Sequence, residues 1–262
     1  MEEIIYEVYA IKYATRAAAA SEHFLDVGDP HENPAMPMDY FIWLVKSAAH
    51  TVVIDAGFNE AVAKKRKREF LRCPVETLRR LDVMAEDVQH VIVTHMHYDH
   101  IGNLEKFPNA NFIVQEREMG FWTGRYASRM EFRKLIEVED VVHLVKGNFE
   151  GRVEFVSGTK EVLPNITVYG TGGHSPGLQF VKVKTATGHV ILASDVSHFY
   201  ANFEQDRPYP LIHNLAEMYG AFDQLRAVSD EKTIMVPGHD PQVMDNFEAP
   251  TPELKGIAVR IA

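Results

Sequence analysis

Three histidines and one aspartate stand within six consecutive residues, His95-Met-His97-Tyr-Asp99-His100, directly after the apolar run Val88–Thr94. Alternate residues of an extended strand point to the same side, so His95 and His97 can bind one metal ion. Asp99 and His100 follow in a turn, where the curved backbone can direct their side chains towards a neighbouring ion. Packing alone gives no reason for three imidazoles beside a carboxylate, so the motif indicates a metal site with room for two ions.

Two metal ions need more ligands than this motif holds, and three other segments offer one each. His174, Asp195 and His239 each follow a predicted strand, and most of them stand in or beside a glycine-rich turn. A single histidine in such a place is more often a hydrogen-bonded structural residue than a ligand. Three strand ends that converge on the motif would complete a binuclear site, and the two carboxylate oxygens of Asp195 could bridge the ions.

The elements that must position these residues follow from apolar runs separated by turn residues. β-Branched and aromatic content predicts strands at residues 4–13, 40–46, 51–55, 88–94, 111–115, 141–145, 152–156, 166–170, 178–184, 190–193 and 233–236. Helices are predicted at residues 60–72, 74–81 and 214–228, with a largely helical stretch over 116–139. This order predicts an α/β fold in which two mixed sheets pack together with helices outside. No linker interrupts the pattern, so we expect one domain over residues 1–262.

Composition narrows the partners of the chain. Its 262 residues are 46% hydrophobic and carry a net charge of −10, so a nucleic acid would meet a repulsive field. The basic run Lys64–Arg68 stands in a predicted helix with Glu69 and Glu76 nearby, which is typical of a solvated helix face. The single cysteine, Cys73, cannot form an internal disulfide. Because no secretory signal or spanning apolar window is visible, we expect a cytoplasmic protein with no membrane partner.

Aromatic and methionine side chains between the motifs are candidates for the walls of a substrate pocket. The candidates are Met36, Met38, Phe58, Phe121, Trp122, Tyr126, Phe203 and His213. Such residues fill protein cores by default, so we expect most of them to be ordinary core.

With its histidine motif and with His174, Asp195 and His239, the sequence resembles the metallo-β-lactamase superfamily, and within it the N-acyl-homoserine lactonase branch. The resemblance covers nearly the whole chain, from the strand at Tyr40 to Asp240. It implies an αββα sandwich with the metals at one edge of the paired sheets, in agreement with the predicted order of elements.

The resemblance also implies a role for each ligand. Seven residues would hold two ions: His95, His97 and His174 the first, Asp99, His100 and His239 the second, with Asp195 as the bridge. Asp55 matches an aspartate of the family that supports the ligands, although an aspartate before Ala-Gly can equally well serve only to form a turn. Because the set lacks a thiolate, we expect zinc, with manganese, iron or cobalt as alternatives.

The sequence departs from the lactonase pattern at one place. Lactonases of this branch often carry a tyrosine three residues after the bridging aspartate, whereas this chain has His198 there and Tyr200 two residues further on. His198 or Tyr200 is the candidate to polarise the substrate carbonyl, and a histidine that merely packs beside the site is an equal alternative. Water held between two cations would attack the lactone carbonyl, and Asp99 would shuttle a proton to the leaving oxygen.

The resemblance therefore predicts a binuclear metal-dependent hydrolase that opens an N-acyl homoserine lactone or a similar small lactone, which is a quorum-quenching activity. A thioesterase similar to glyoxalase II uses the same seven ligands, but it carries a basic C-terminal extension, and only a short segment follows His239. A phosphodiesterase or nuclease fits the metals but not the acidic charge. A diiron redox protein usually has glutamate in place of His97. We expect a small lactone or ester as the partner, and the sequence is compatible with a homodimer.

Overall fold

The computed structural model describes residues 4–26 and 33–262, which form two β-sheets with helices outside them. The strands are β1 (Glu7–Arg16), β2 (Met38–Lys46), β3 (Thr51–Ile54), β4 (Glu69–Phe70), β5 (His90–Ile92), β6 (Asn111–Gln115), β7 (Val153–Val156), β8 (Thr159–Leu163), β9 (Ile166–Gly170), β10 (Gln179–Thr185), β11 (Gly188–Ser194), β12 (Thr233–Pro237) and β13 (Ala258–Arg260). The helices are α1 (Glu60–Arg66), α2 (Pro74–Thr77), α3 (Tyr98–Ile101), α4 (Glu116–Trp122), α5 (Met130–Arg133), α6 (Val138–Phe149), α7 (Tyr200–Glu204), α8 (Leu215–Val228) and α9 (Gln242–Asn246). In the described ranges, none of the helices combines the length and the apolar character needed to cross a membrane.

The first sheet has the strand order β13-β1-β2-β3-β5-β6-β7, with β4 paired to β1. β1, β2 and β3 pair antiparallel, whereas β3, β5, β6 and β7 pair parallel. Parallel strands end at the same edge of a sheet, so the residues that follow β5 reach the edge at which β3 and β6 also end. The histidine motif lies directly beyond β5.

The second sheet has the order β12-β11-β10-β9-β8, and it is antiparallel except for the β11–β12 pair. β10 and β11 form a hairpin, with Thr185 opposite Gly188. Since β11 and β12 run parallel, the residues after both strands, Asp195 and His239 among them, emerge at one edge.

Alternating side chains of the strands divide the interior into layers. Trp43 of the first sheet and Val181 and Leu192 of the second belong to the core between the sheets. Phe180, next to Val181, belongs instead to a core that includes Phe222 of α8. A third core lies on the outer side of the first sheet. Helix, sheet, sheet and helix are therefore stacked in that order, and the predicted αββα sandwich is confirmed.

Two local predictions were wrong. Residues 141–145 lie in helix α6 rather than in a strand, because Val141, Leu144 and Gly147 recur every third residue and are buried together on one helix face. The helix predicted over 60–72 ends at Arg66, since Lys67 takes a left-handed conformation with φ 56° and the chain then forms β4. The edge strand β8 was not predicted, because its first three residues are polar and exposed.

Candidate metal centre

Strand ends from both sheets bring the predicted ligands to one edge of the sandwich. β5 leads to His95 and His97, β11 leads to Asp195, and β12 leads to His239, while His174 lies in the connection from β9 to β10. All seven predicted ligands are less than one tenth exposed. Burial of so many polar groups in one place requires partners that compensate for lost water.

Asp195 lies at the centre of the cluster, and its two carboxylate oxygens face different histidines. Oδ2 lies 3.2 Å from Nε2 of His174 and 3.7 Å from Nε2 of His95. Oδ1 lies 3.1 Å from Nε2 of His239 and 3.4 Å from Nε2 of His100. The carboxylate therefore stands between two sets of imidazoles, as a ligand that bridges two ions must.

The first set consists of His95, His97 and His174, whose ring nitrogens converge. Nδ1 of His97 lies 2.8 Å from Nε2 of His174 and 3.0 Å from Nε2 of His95. Burial and the neighbouring imidazoles lower the pKa of His95 and of His97 well below the usual value. Both rings are therefore neutral, with a lone pair available to a cation.

The second set consists of Asp99, His100 and His239, each of which offers a ligand atom within 4.8 Å of the others. Nε2 of His100, Nε2 of His239 and Oδ1 of Asp195 are buried and have no hydrogen-bond partner in the described part of the chain. Buried polar atoms normally have a partner, and three that face one another suit a shared cation. The residues of both sets thus fit two divalent ions held by imidazole and carboxylate groups.

Backbone carbonyls orient two of the rings from behind. Nδ1 of His174 donates to the carbonyl of Leu211 at 2.8 Å, and Nδ1 of His239 donates to the carbonyl of Asp39 at the same distance. A carbonyl can only accept, so these contacts place the proton on Nδ1 and leave Nε2 free as the ligand atom.

Asp55 supports the cluster in the way that the resemblance implied, and it forms a turn as well. Its Oδ2 accepts from Nδ1 of His100 and from Oγ1 of Thr94, each at 2.7 Å, and its Oδ1 accepts from the Thr94 amide at 2.8 Å. Its φ of 61° is left-handed, which aspartate tolerates better than most residues. The two alternatives left open by the sequence are therefore both present in the structure.

A bend at the end of β11 directs Asp195 into the cluster. The pairing of β11 with β12 shifts register between Leu192 and Ser194, and Ser194 has a φ of 47°. A Cβ atom on Gly238 would lie 2.7 Å from the Ser194 carbonyl oxygen and 2.9 Å from Oδ1 of Asp195. Only glycine allows the segment after β12 to approach the bridging carboxylate so closely.

Glu118 is a buried residue that sequence reasoning missed. Its Oε1 accepts from the amide of Met96 at 2.8 Å and from Nε1 of Trp122 at 2.6 Å. Its Oε2 accepts from Oγ of Ser175 at 2.9 Å and from the amide of Gly177 at 2.7 Å. One carboxylate on α4 thus ties the segment of the first two histidines to the segment that follows His174. A glutamate in an exposed-looking helix gives no sequence signal for this role.

His198 lies against the cluster and lines the cavity that opens beside it. Its Nε2 is 3.0 Å from Oδ2 of Asp195, and its ring stacks on Tyr209 with centroids 3.4 Å apart. Tyr209 donates from its hydroxyl to the backbone carbonyl of Asp195. Burial and the Asp195 carboxylate raise the pKa of Tyr209 well above its ordinary value, so this phenol keeps its proton. No motif in the sequence predicts this role for Tyr209.

Tyr200 is not brought to the cluster. It is the first residue of α7, its side chain packs against the core between the sheets, and it interacts with Asn246 of α9. Its backbone amide donates to Oδ2 of Asp240 at 3.0 Å. Tyr200 is not among the residues that line the cavity, whereas His198 is, so His198 is the better placed of the two candidates.

A cavity of about 450 Å³ opens next to the cluster and reaches Asp99, Asp195 and His198. An adjoining apolar branch of about 170 Å³ shares His97 and His174 with it. The apolar side chains of the branch are Phe121, Trp122, Phe132, Leu135, Leu211 and Ile212. Of the candidates for pocket walls, Met38 lines the main cavity and Phe121, Trp122 and His213 line the branch. Phe58 lies in the core, as expected.

Comparison with known families and proteins supports the resemblance seen in the sequence. A family profile described as metallo-beta-lactamase superfamily matches residues 36–239. The N-acyl homoserine lactonase of Bacillus cereus is 29% identical over 167 residues, which are 63% of this chain and 61% of that protein. The chain thus aligns with less than two thirds of the length of that relative. The N-acyl homoserine lactonase AttM of Agrobacterium fabrum is 24% identical over 237 residues, with 81% of this chain and 85% of that protein covered.

Solved structures with the same fold include a quorum-quenching N-acyl homoserine lactone lactonase, with a TM-score of 0.80, 22% identity, and coverage of 95% of this chain and 98% of that one. An N-acyl homoserine lactone hydrolase, with the product N-hexanoyl-L-homoserine at its catalytic metal centre, has a TM-score of 0.78 at 20% identity and the same coverage. At these identities the similarity concerns the fold.

Proposed function

The chain belongs to the metallo-beta-lactamase superfamily, and on this premise we propose that it is a binuclear metal-dependent hydrolase that opens the ring of N-acyl homoserine lactones or similar small lactones. Its activity would then be quorum quenching. The relatives named as N-acyl homoserine lactonases support the substrate class. The position of Asp195 between two sets of imidazoles is the observation that carries the proposal.

We assign to the seven predicted ligands the roles that the resemblance implies. His95, His97 and His174 would hold one ion, Asp99, His100 and His239 the other, and Asp195 both. Bound divalent ions lower the pKa of water and polarise a carbonyl oxygen. Neutral imidazoles and carboxylates without a thiolate favour zinc in such a site, although manganese, iron and cobalt accept the same ligands.

The reaction requires that the substrate carbonyl be oriented and that the leaving oxygen receive a proton. His198 and Asp99 line the same cavity as Asp195. We assign to an N–H of His198 a hydrogen bond to the acyl oxygen, and to Asp99 the transfer of a proton to the ring oxygen as its bond to the acyl carbon breaks. Water adds to the acyl carbon, and the product is an N-acyl homoserine with a free carboxylate and hydroxyl.

The apolar branch supports an acyl substrate. Phe121 and Phe132 lie with their ring centroids 5.0 Å apart and almost perpendicular, and Leu211 and Ile212 also line the branch. A chain of methylene groups bound there would be removed from water, and each buried methylene would contribute about 0.8 kcal/mol to the binding free energy. Because His97 and His174 line both spaces, a substrate whose ring lies at the metal centre could extend its chain into the branch.

The test is an assay of the zinc-loaded protein on a panel of lactones, thioesters and phosphodiesters of matched size. We expect two ions per chain by elemental analysis, no visible absorption, and turnover of the acyl homoserine lactones well above that of the other classes. Preference for a thioester would indicate a reaction similar to glyoxalase II, and a coloured iron-loaded protein without turnover would contradict a hydrolase. Light scattering would distinguish a monomer from a homodimer, and cell fractionation would test a cytoplasmic location.

A further inference from the structure

The cavity beside the metal centre has a basic wall, although the chain as a whole carries a charge of −10. Four cationic side chains line this cavity: Arg16, Arg66, Arg68 and Lys134. Two of them belong to the basic run Lys64–Arg68, which the sequence alone assigns to a solvated helix face. Lys64, Lys65 and Lys67 are indeed exposed. Arg66 and Arg68 instead turn towards the cavity.

Three of the four cations are already paired with carboxylates. Arg16 lies 2.6 Å from Glu22, and Lys134 forms an ion pair with Glu131. Arg66 donates from Nε and Nη2 to one oxygen of Glu137, at 2.9 and 2.7 Å.

Arg66 also holds neighbouring backbone. It donates to the carbonyls of Lys134 and Ile136, and its guanidinium lies 3.8 Å from the ring centre of Tyr98. Because its N–H donors are used in this way, Arg66 stabilises the wall and has few donors left for a ligand.

Arg68 differs from the other three cations. No carboxylate of the described residues lies within ion-pair distance of it. Its Nε donates to the hydroxyl of Tyr98 at 3.2 Å and its Nη1 to the carbonyl of Arg66 at 3.0 Å. Its Nη2 makes no hydrogen bond to the described part of the chain. The remaining donors of Arg68 are available to an anion that enters the cavity.

The contacts of Arg68 fix its place relative to the reaction. Tyr98 stands between His97 and Asp99, and its hydroxyl lies 3.5 Å from that of Tyr40, which also lines the cavity. The guanidinium is thus held by the residue that separates two metal ligands in the sequence. An anion on Arg68 would belong to a molecule that also reaches the metal centre.

We propose that Arg68 binds a carboxylate that the substrate already carries before its ring is opened, so that the preferred substrates are anionic lactones. This carboxylate is distinct from the one that hydrolysis creates. This proposal rests on the proposed lactonase function and narrows it. One guanidinium matches one carboxylate in charge and in its planar, bidentate hydrogen-bond geometry. A phosphate monoester carries a second charge, and the remaining cations of the wall are engaged by Glu22, Glu131 and Glu137.

The test uses two lactones that differ only at the end of a six-carbon acyl chain: N-hexanoyl-L-homoserine lactone and N-(5-carboxypentanoyl)-L-homoserine lactone. Because Arg68 lines the main cavity and not the apolar branch, the carboxylated chain would lie along the main cavity, whereas the neutral chain would enter the branch. We expect the zinc-loaded protein to have a higher kcat/KM for the carboxylated lactone. Arg68→Met should lower that value by about 10- to 100-fold, the range for a hydrogen bond to a charged group, and should change the value for the neutral lactone by less than about threefold. Arg68→Lys keeps the charge without the planar guanidinium. Its kcat/KM for the carboxylated lactone should lie between the values for the unmodified protein and for Arg68→Met.

Lys64→Met is the matched control, because it removes one charge from an exposed side chain of the same run, outside this cavity. It should leave the preference unchanged. Equal use of both lactones by the unmodified protein would overturn the proposal. An equal loss on both lactones in Arg68→Met, with unchanged zinc content and Tm, would overturn it as well, because Arg68 would then only support the cluster.

Calorimetry separates a failure of this proposal from a failure of the lactonase function. The two ring-opened products are titrated into the protein and into Arg68→Met. The product with two carboxylates should bind more tightly than the product with only the carboxylate created by hydrolysis, and the difference should disappear in the variant. If neither lactone is opened, the proposed function fails, and the calorimetric comparison still decides whether Arg68 selects an anion. Equal affinities in the unmodified protein would reject that selection.

Discussion

The ligand cluster and the wall of the cavity are built in different ways. Ligands such as His95 and His239 follow strands of the two sheets and are almost completely buried, and backbone carbonyls or Asp55 fix several of the rings. Wall residues such as Phe132 and Arg68 lie on short connecting elements and are partly exposed. The sheets can therefore hold the ligand cluster in the same arrangement when residues of the wall are substituted. We expect changes in the cluster to affect every substrate, and changes in the wall to affect the choice among substrates.

Asp195→Asn should have the largest effect. The amide removes the negative charge that faces both sets of imidazoles, so metal content should fall and turnover of every lactone should drop by about 10³-fold or more. Elemental analysis and steady-state kinetics measure the two effects. Full metal occupancy with nearly unchanged turnover would refute the bridging role of Asp195.

His198→Ala comes next, because His198 belongs to the cavity but touches Asp195. Loss of a donor to the acyl oxygen should lower kcat by about 10²-fold with both ions retained. If metal is lost instead, His198 is a ligand, and its place beside His174 and Asp195 would make it one of the first set. Tyr200→Phe is the matched aromatic control, and it should leave kcat and metal content unchanged because Tyr200 packs away from the cavity.

Glu118→Gln should affect all substrates to a smaller extent. The glutamine amide can accept at only one of its two ends, so two of the four donors that Glu118 now satisfies lose their acceptor. We expect metal affinity to fall about 10- to 100-fold, as for other residues that orient ligands, and Tm to fall by several degrees. Titration with a metal chelator and thermal unfolding measure these changes.

Glu116→Gln provides the control for Glu118, because it makes the same chemical change on an exposed residue of the same helix. It should not alter metal affinity. If Glu118→Gln lowered Tm while metal affinity and kcat stayed constant, Glu118 would stabilise the fold without positioning the ligands.

The cluster was predictable from the sequence because its signals are local. His95 to His100 combine the right residue types with the spacing of a strand end, and Asp195 and His239 follow apolar strands that are recognisable by themselves. The order of those strands was sufficient to predict the two sheets and their helices. The strand proposed at 141–145 failed because β-branched content favours a strand locally, whereas packing against the first sheet favours a helix.

The wall was predictable only in part. Met38, Phe121, Trp122 and His213 were candidates and line the cavities, but the basic residues were not identified, because they act through contacts between segments that are distant in the sequence. The sequence pattern predicts that Arg68 lies on a charged helix face. In the structure, α1 ends at Arg66 and Lys67 is left-handed, which turns Arg68 towards Tyr98. Tyr200 and His198 are two residues apart, yet His198 lines the cavity, whereas Tyr200 begins α7 and packs against the core between the sheets. No periodic pattern reports either fact.

Phe132→Ala should have the smallest effect on turnover and the clearest effect on selectivity. Phe132 lines the apolar branch, where its ring packs edge-on against Phe121. Its removal should raise KM for a long acyl chain by about 10-fold, since a partly exposed aromatic side chain contributes only part of its apolar area to the contact. A short-chain lactone that does not reach the branch should show little change.

Phe149→Ala, on a side chain that is 88% exposed in α6, is the control and should leave both KM values unaltered. If Phe132→Ala lowered kcat equally for both chain lengths, the branch would belong to the support of the cluster, and the separation between cluster and wall would not hold.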